Sequence, residues 1–262
     1  PESAAGASFS PTSGSVIENA RYRIAIDAAA GALASIVDLE SGRELVDPDA
    51  PFRLGQYVYE GMSKIEGVGW HGSPYEGPGT GRVVPRIHRV RVEEGPVFSR
   101  LVAEGSLRIE GFPYEIGSVE RVVQTFTLPC GLDWIGCEAT LAGKSPTALA
   151  EQGNIAFPFR VDEGRIRLEL LGSVVDPEAD LQELGNHDAF AVQHWIDISG
   201  PRGGVTWSPI DTTIVTLGDT RLFRWDPAYV PRNTTLYANA LNNGWSTNFQ
   251  EWQGGDFRFR FR

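Results

Sequence analysis

The sequence predicts an all-β fold, a large two-sheet antiparallel β-sandwich. Short runs rich in β-branched and aromatic residues recur along the whole 262-residue chain, each bounded by Gly, Pro, Asp or Asn. Some alternate with a period of two, as Tyr22, Ile24 and Ile26 do against Arg23, Ala25 and Asp27. Helical patterning is nearly absent: only Pro177 to Leu184 suits a turn or two, with Asp176 as its cap. Many strands with so little helix must bury their apolar faces by packing sheet on sheet.

In chain order, residues 1–15 are rich in Ser, Ala, Gly and Pro and read as a linker or disordered arm. The sandwich domain is expected over 16–262. It opens with a strand region over 16–27, a turn at 28–31 and a strand over 32–39. Further strands are expected at 52–59, 86–92, 99–109 and 114–128, the last broken near Gly117. Pro129 to Asp133 then make a hairpin turn. The remaining strands are expected at 134–141, 155–161, 166–170, 191–198, 204–207, 212–217, 235–241 and 257–261. Pro158, inside Phe157-Pro158-Phe159, suggests an edge or a bulge.

Hydrophobic residues make up 41% of the chain, enough for a substantial core. The formal net charge of −11 argues against nucleic acid or an anionic membrane as partner, since both repel an acidic surface. Neutral ligands such as sugars stay open. Cys130 and Cys137 imply no disulfide framework and have no metal-binding spacing. No apolar run approaches the ~18 residues of a membrane helix, and no signal peptide is visible, so localisation is left unassigned. A start at Pro1 reads as a processed product or an excised piece.

His71, His88, His187 and His194 form no His-x-x-x-His or His-Glu-x-x-His spacing. No Gly-x-Ser-x-Gly elbow offers a serine nucleophile. His187 and Asp188 are adjacent and on a strand point to opposite faces, so they make a poor metal pair. No metal or cofactor is expected in this chain. The glycine-rich segment 69–81 carries Trp70 and Tyr75 as a candidate sugar platform, with His71 and Glu76 as polar neighbours. It lacks the Gly-Lys-Ser/Thr ending of a phosphate loop.

The densest chemical signal lies in residues 239–258. Asn239, Asn242, Asn243, Asn248, Gln250 and Gln253 are interleaved there with Trp245, Phe249 and Trp252. Amides supply donors and acceptors, and rings supply flat apolar faces; a sugar has the matching rim and faces. A run that stays extended puts Asn243 and Trp245 on one face, toward a ligand. Asn242 and Asn248 are then expected to brace the turn through backbone hydrogen bonds.

Asn242-Asn243-Gly244-Trp245-Ser246-Thr247-Asn248, followed by Gln253-Gly254-Gly255 and Phe257-Arg258-Phe259-Arg260, resembles the last block of the alpha-mannosidases of glycoside hydrolase family 38. Gly244 stands where that family usually has an aromatic residue. Ile17-Glu18-Asn19 with Tyr22-Arg23 resembles the opening hairpin of the same family's C-terminal sandwich. Lys144-Ser145-Pro146 with Glu151 and Ala156-Phe157-Pro158-Phe159 resembles a further block, as does Trp195-Ile196-Asp197 with Gly204-Val205-Thr206.

The resemblance implies a supersandwich of the galactose-mutarotase-like type. It implies that the nucleophile and zinc ligands lie on an upstream catalytic domain of the same polypeptide, which would be this chain's partner. This chain alone would then complete a sugar cleft and not hydrolyse glycosides. The ligand implied is a mannose-containing glycan, with Glu151, Asp211, Asn242, Asn243, Trp245, Asn248, Trp70 and His71 as candidate carbohydrate-binding residues. The alternative is a stand-alone aldose epimerase, which needs an acid and a base on opposite sides of the ring. Glu151 would then have to meet His71 or His194.

Overall fold

A computed structural model of the chain describes residues 14–61, 80–110, 116–147, 149–222, 224, 226–244 and 252–262. All regular structure among them is β, in nineteen strands with antiparallel pairing throughout. These are β1 (Val16–Glu18), β2 (Tyr22–Asp27), β3 (Ala32–Asp38), β4 (Arg43–Glu44), β5 (Gln56–Gly61), β6 (Gly81–Val83), β7 (Arg86–Glu94) and β8 (Phe98–Leu107). Next come β9 (Val119–Pro129), β10 (Gly136–Lys144), β11 (Glu151–Pro158), β12 (Arg165–Leu170), β13 (Ser173–Val175) and β14 (Phe190–Ala191). The last are β15 (Ile196–Gly200), β16 (Gly203–Trp207), β17 (Ile214–Leu217), β18 (Thr235–Asn242) and β19 (Gly255–Phe261).

The expectation of two sheets needs correction. Hydrogen bonding divides the strands into four: β1-β2-β3-β4, β19-β10-β9-β8-β7, β14-β17-β18-β11-β5-β6 and β13-β12-β15-β16. Isolated bridges stitch them together, Leu33 to Leu54, Val46 to Phe159 and Pro209 to Phe261. Residues from all four sheets share one apolar cluster, including Ile24, Leu33, Phe126, Leu141, Phe157, Leu168, Trp207 and Phe261. Short apolar strands cannot each bury a face alone, so one core serves them all. Its aromatic centre is Phe157, 5.2 Å from Trp207 and 4.9 Å from Phe261 between ring centroids.

Local chemistry explains where strands break. The run over 16–27 splits because the Asn19 side chain accepts hydrogen bonds from the backbone N–H groups of Arg21 and Tyr22, turning the chain into a hairpin. The 191–198 run likewise splits into β14 and β15, in different sheets. Residues 177–184 form turns and no helix, so Asp176 caps none; it accepts the Glu178 N–H in an Asx turn instead. β11 is central, between β18 and β5, so Pro158 is no edge residue. It is the last residue of β11, beyond the end of β5 pairing, where its missing N–H breaks no ladder bond. Cys130 and Cys137 are both free thiols.

Two glycines are demanded by close approach. A Cβ on Gly117, at φ +54°, would lie 2.1 Å from the Tyr59 ring, and one on Gly153 would lie 2.6 Å from the Tyr57 hydroxyl. Tyr57 and Tyr59 sit on the core face of β5. By alternation, Gln56, Val58 and Glu60 occupy the opposite face, turned away from the main core.

Candidate functional site

The face of the six-stranded sheet turned away from the main core is polar along one row. Strand register puts Gln152 opposite both Glu60 on β5 and Asn242 on β18. Glu60 in turn lies opposite Arg82 on β6. One row inward, Asn154 lies opposite Asn239, next to a bulge in the β11–β18 pairing. Hydrogen bonds run along these rows. Gln152 Nε2 donates to Glu60 Oε2 at 3.0 Å, Asn242 Nδ2 to Asn239 Oδ1 at 2.8 Å, and Asn239 Nδ2 to Asn154 Oδ1 at 3.3 Å. Gln152 Oε1 and Asn154 Nδ2 are buried without a partner among the described residues. An unsatisfied buried amide costs ~1–3 kcal/mol, so both atoms mark a place where a further polar group belongs.

The β17–β18 connection adds charge and a hydroxyl at one end of the row. Thr220 Oγ1 donates to Glu60 Oε2 at 3.0 Å. Arg82 pairs with Asp219 and lies 3.7 Å from Glu60, while Arg224 lies 3.8 Å from both Glu60 and Asp219. Two guanidinium groups thus face two carboxylates, and their charges cancel locally. At the other end the row opens into a groove of about 580 Å³ lined by Asp211, Asn239, Asn242, Gln253 and Phe257, among others. Trp252, 58% exposed, directly precedes Gln253 on its lip. Amides in a row, a locally balanced charge set and an aromatic side suit a neutral polyhydroxylated ligand.

Of the residues singled out in the sequence, Asp211 and Asn242 meet at this groove. Arg260 donates two hydrogen bonds of 2.8 Å to Asp211, holding its carboxyl below the usual range. β18 runs on through Asn242. Asn242 lies on the polar face. Asn243 braces the chain: its Oδ1 accepts the Glu151 N–H at 2.6 Å and its Nδ2 donates to Thr147 O at 2.7 Å. Trp70, His71, Trp245 and Asn248 lie outside the described residues.

Glu151 is fully buried on the core side of β11, ion-paired at 2.7 Å with an equally buried Lys144. Lys144 Nζ also donates to Ser145 O and Gln253 O, so it ties the groove lip to Glu151. Burial pushes the Glu151 carboxyl up, opposed by the Lys144 cation and the hydrogen bond it donates. The Tyr57 and Tyr59 phenols are raised by burial and by the Glu151 charge. His194 is 76% exposed in its side chain and contacts Glu169 instead, so Glu151 and His194 do not converge. Asp188, beside His187, is committed to Arg221. Among the described residues no three His, Cys, Asp or Glu side chains group as a metal site would require.

Glu60, Arg82, Gln152, Asn154 and Thr220 were invisible to motif reading. Glu60, Arg82 and Thr220 lie in three separate segments, and Gln152 and Asn154 share β11. The one signal was within β11, where Gln152 and Asn154 alternate with Gly153 and Ile155 in an otherwise apolar stretch.

No family model matches this sequence, and no curated protein matches it. Its structure does have solved neighbours. An alpha-mannosidase from Enterococcus faecalis V583 is 12% identical with a TM-score of 0.63, covering 95% of this chain. This chain spans only 28% of that protein's length. A galactose mutarotase-like protein from Lactobacillus casei ATCC 334 is 13% identical with a TM-score of 0.51, matching 94% of this chain and 98% of its own. A protein from Synechocystis sp. PCC 6803 is 14% identical with a TM-score of 0.50, matching 99% of each chain. At such identities the likeness speaks to fold alone, and the fold is galactose-mutarotase-like.

Proposed function

We propose that this chain recognises a neutral carbohydrate on the row Glu60–Gln152–Asn242 and in the groove beside it. The observation that carries the reading is the buried amide row with two unsatisfied atoms, Gln152 Oε1 and Asn154 Nδ2, next to Glu60. Such a row matches the alternating donors and acceptors of a sugar rim. Asp211 and Gln253 extend it, and Phe257 offers a flat apolar surface.

Recognition alone is what a cleft-completing domain of an alpha-mannosidase-like hydrolase would contribute. A second reading is an aldose epimerase, supported by the fold likeness to a galactose mutarotase-like protein that matches 94% of this chain and 98% of its own. In that chemistry a carboxylate takes the proton of the anomeric hydroxyl while an acid protonates the ring oxygen. The ring opens, the C1–C2 bond rotates, and closure on the other face returns both protons. This reading gives Glu60 the first role. No histidine among the described residues reaches the row; His71, in the segment joining β5 to β6, is the acid this reading assigns.

The test has two arms, calorimetric binding of D-galactose, D-glucose and methyl α-D-mannoside, and polarimetry of freshly dissolved α-anomers. Mutarotation above the buffer rate, lost in Glu60→Gln and in His71→Ala, establishes the epimerase. Binding without acceleration, lost in Asn242→Ala, establishes recognition only. Absence of both refutes the proposal.

A further inference from the structure

We infer that Thr220, held by a clamp between Asp188 and Arg221, is the positioning residue that fixes Glu60 with one carboxylate oxygen committed to the protein and the other presented to the ligand. The inference rests on the site reading above, and it concerns how that site is built.

The two oxygens of Glu60 are not equivalent. Oε2 accepts from Gln152 Nε2 and from Thr220 Oγ1, each at 3.0 Å, with Arg82 Nε at 3.7 Å. Oε1 makes no hydrogen bond to the described residues; its nearest cation is Arg224 Nη2 at 3.8 Å. A carboxylate pinned through one oxygen is oriented at small entropic cost, leaving the other free to accept from a ligand hydroxyl. Gln152 belongs to the neighbouring strand and is placed by sheet register. Thr220 belongs to an irregular connection and needs another anchor.

That anchor is the next residue. Arg221 is buried, and its Nε and Nη2 both lie 2.6 Å from Asp188 Oδ1. Its guanidinium lies 3.5 Å from the centre of the Tyr229 ring. Asp188 Oδ2 accepts the Asp226 N–H at 2.8 Å, and the Tyr229 hydroxyl donates to Leu217 O at 2.8 Å. Asp188 lies two residues before β14, so the clamp ties the β17–β18 connection to the sheet edge. A buried ion pair with this many partners is expensive to keep if it only adds stability. Its geometric result is a fully buried Thr220 aimed at Glu60.

The test compares Thr220→Val, which keeps the shape and loses the hydroxyl, with Thr220→Ser, which keeps the hydroxyl. Crystal structures of both variants read the inference without any ligand. The Glu60 carboxylate should leave its place in Thr220→Val, closing on Arg224 to hydrogen-bond distance, and stay in Thr220→Ser. A carboxylate unmoved in Thr220→Val overturns the inference. Asp188→Asn, which loosens the clamp while keeping its size, should move Thr220 and Glu60 together; Glu60 unmoved while Thr220 shifts also overturns it. With D-galactose and methyl α-D-mannoside as probes, Thr220→Val should weaken binding about tenfold with Thr220→Ser near the parent. Adding Asp188→Asn to Thr220→Val should weaken it no further, since both act through one contact. Full additivity would overturn the assignment. Should neither probe bind the parent chain, the functional proposal fails, and the carboxylate positions still decide the positioning role.

Discussion

Removing Lys144 should be among the most damaging single changes in this protein, and the structure says why. Lys144 and Glu151 are both completely buried, with their charges 2.7 Å apart. Lys144→Met fills similar space but leaves the Glu151 carboxylate without its cation, and removes the Nζ donor to the carbonyls of Ser145 and Gln253. Breaking a buried pair in this way costs about 3–5 kcal/mol. For a domain of this size each kcal/mol moves Tm by about 2–4 °C, so the melting point should fall by roughly 6–20 °C. Guanidinium unfolding at neutral pH and calorimetry would read both quantities.

The pH dependence of that loss has a definite sign. Burial raises the Glu151 carboxyl above its ordinary 4.5 even with Lys144 present, and without Lys144 both its charge and its hydrogen bond, which lower that value, are gone. The folded state then holds its proton more tightly than the unfolded state. Stability of the variant should fall as pH rises from about 4.5 through the raised folded value. The deficit should be largest at neutral pH and shrink toward pH 4. In Lys144→Met/Glu151→Leu both charges are gone, and most of the loss should be recovered. If Lys144→Met lies within ~1 kcal/mol of the parent at pH 7, or the double variant is as unstable as the sum of the singles, the account of this pair is wrong.

Further predictions follow from the same geometry. Asn243→Ala should cost ~1–3 kcal/mol in chemical denaturation, because the buried Glu151 N–H and Thr147 carbonyl lose their partner. Asn242→Ala should instead weaken carbohydrate binding in calorimetry while shifting Tm little. Phe261→Ala should cost ~3–5 kcal/mol by opening the Phe157–Trp207 cluster, measured by guanidinium unfolding. Gly153→Ala should destabilise by ~1–3 kcal/mol against the Tyr57 hydroxyl, and Tyr57→Phe should recover part of it. No recovery would show that the strain lies elsewhere.

Much of the strand content could be read locally, since β-branched runs, alternation and Gly, Pro or Asn punctuation are properties of neighbouring residues. Tyr22, Ile24 and Ile26 announced their strand, and Asp176 its turn. The same local chemistry singled out the Asn242–Asn243 block as special. It could not say which amide faces outward, because that depends on where β18 ends. Nor could it divide the strands into four sheets, since partner choice is made between segments far apart in the chain.

The site was decided at that longer range. Thr220 meets Glu60 across 160 residues, and Gln152 meets it across 92. Each alone looks like one more polar residue on a strand or a loop. Glu151 shows the converse. A lone glutamate before an apolar strand reads as a solvated or ligand-facing carboxylate, yet the turn of β11 puts it on the core side, where Lys144 from another sheet neutralises it. Which face a side chain takes is set by a two-residue period that one bulge or one strand start can reverse. Local sequence therefore determined which segments are strands, and only the assembled register decided which of their polar groups are buried, paired or offered to a ligand.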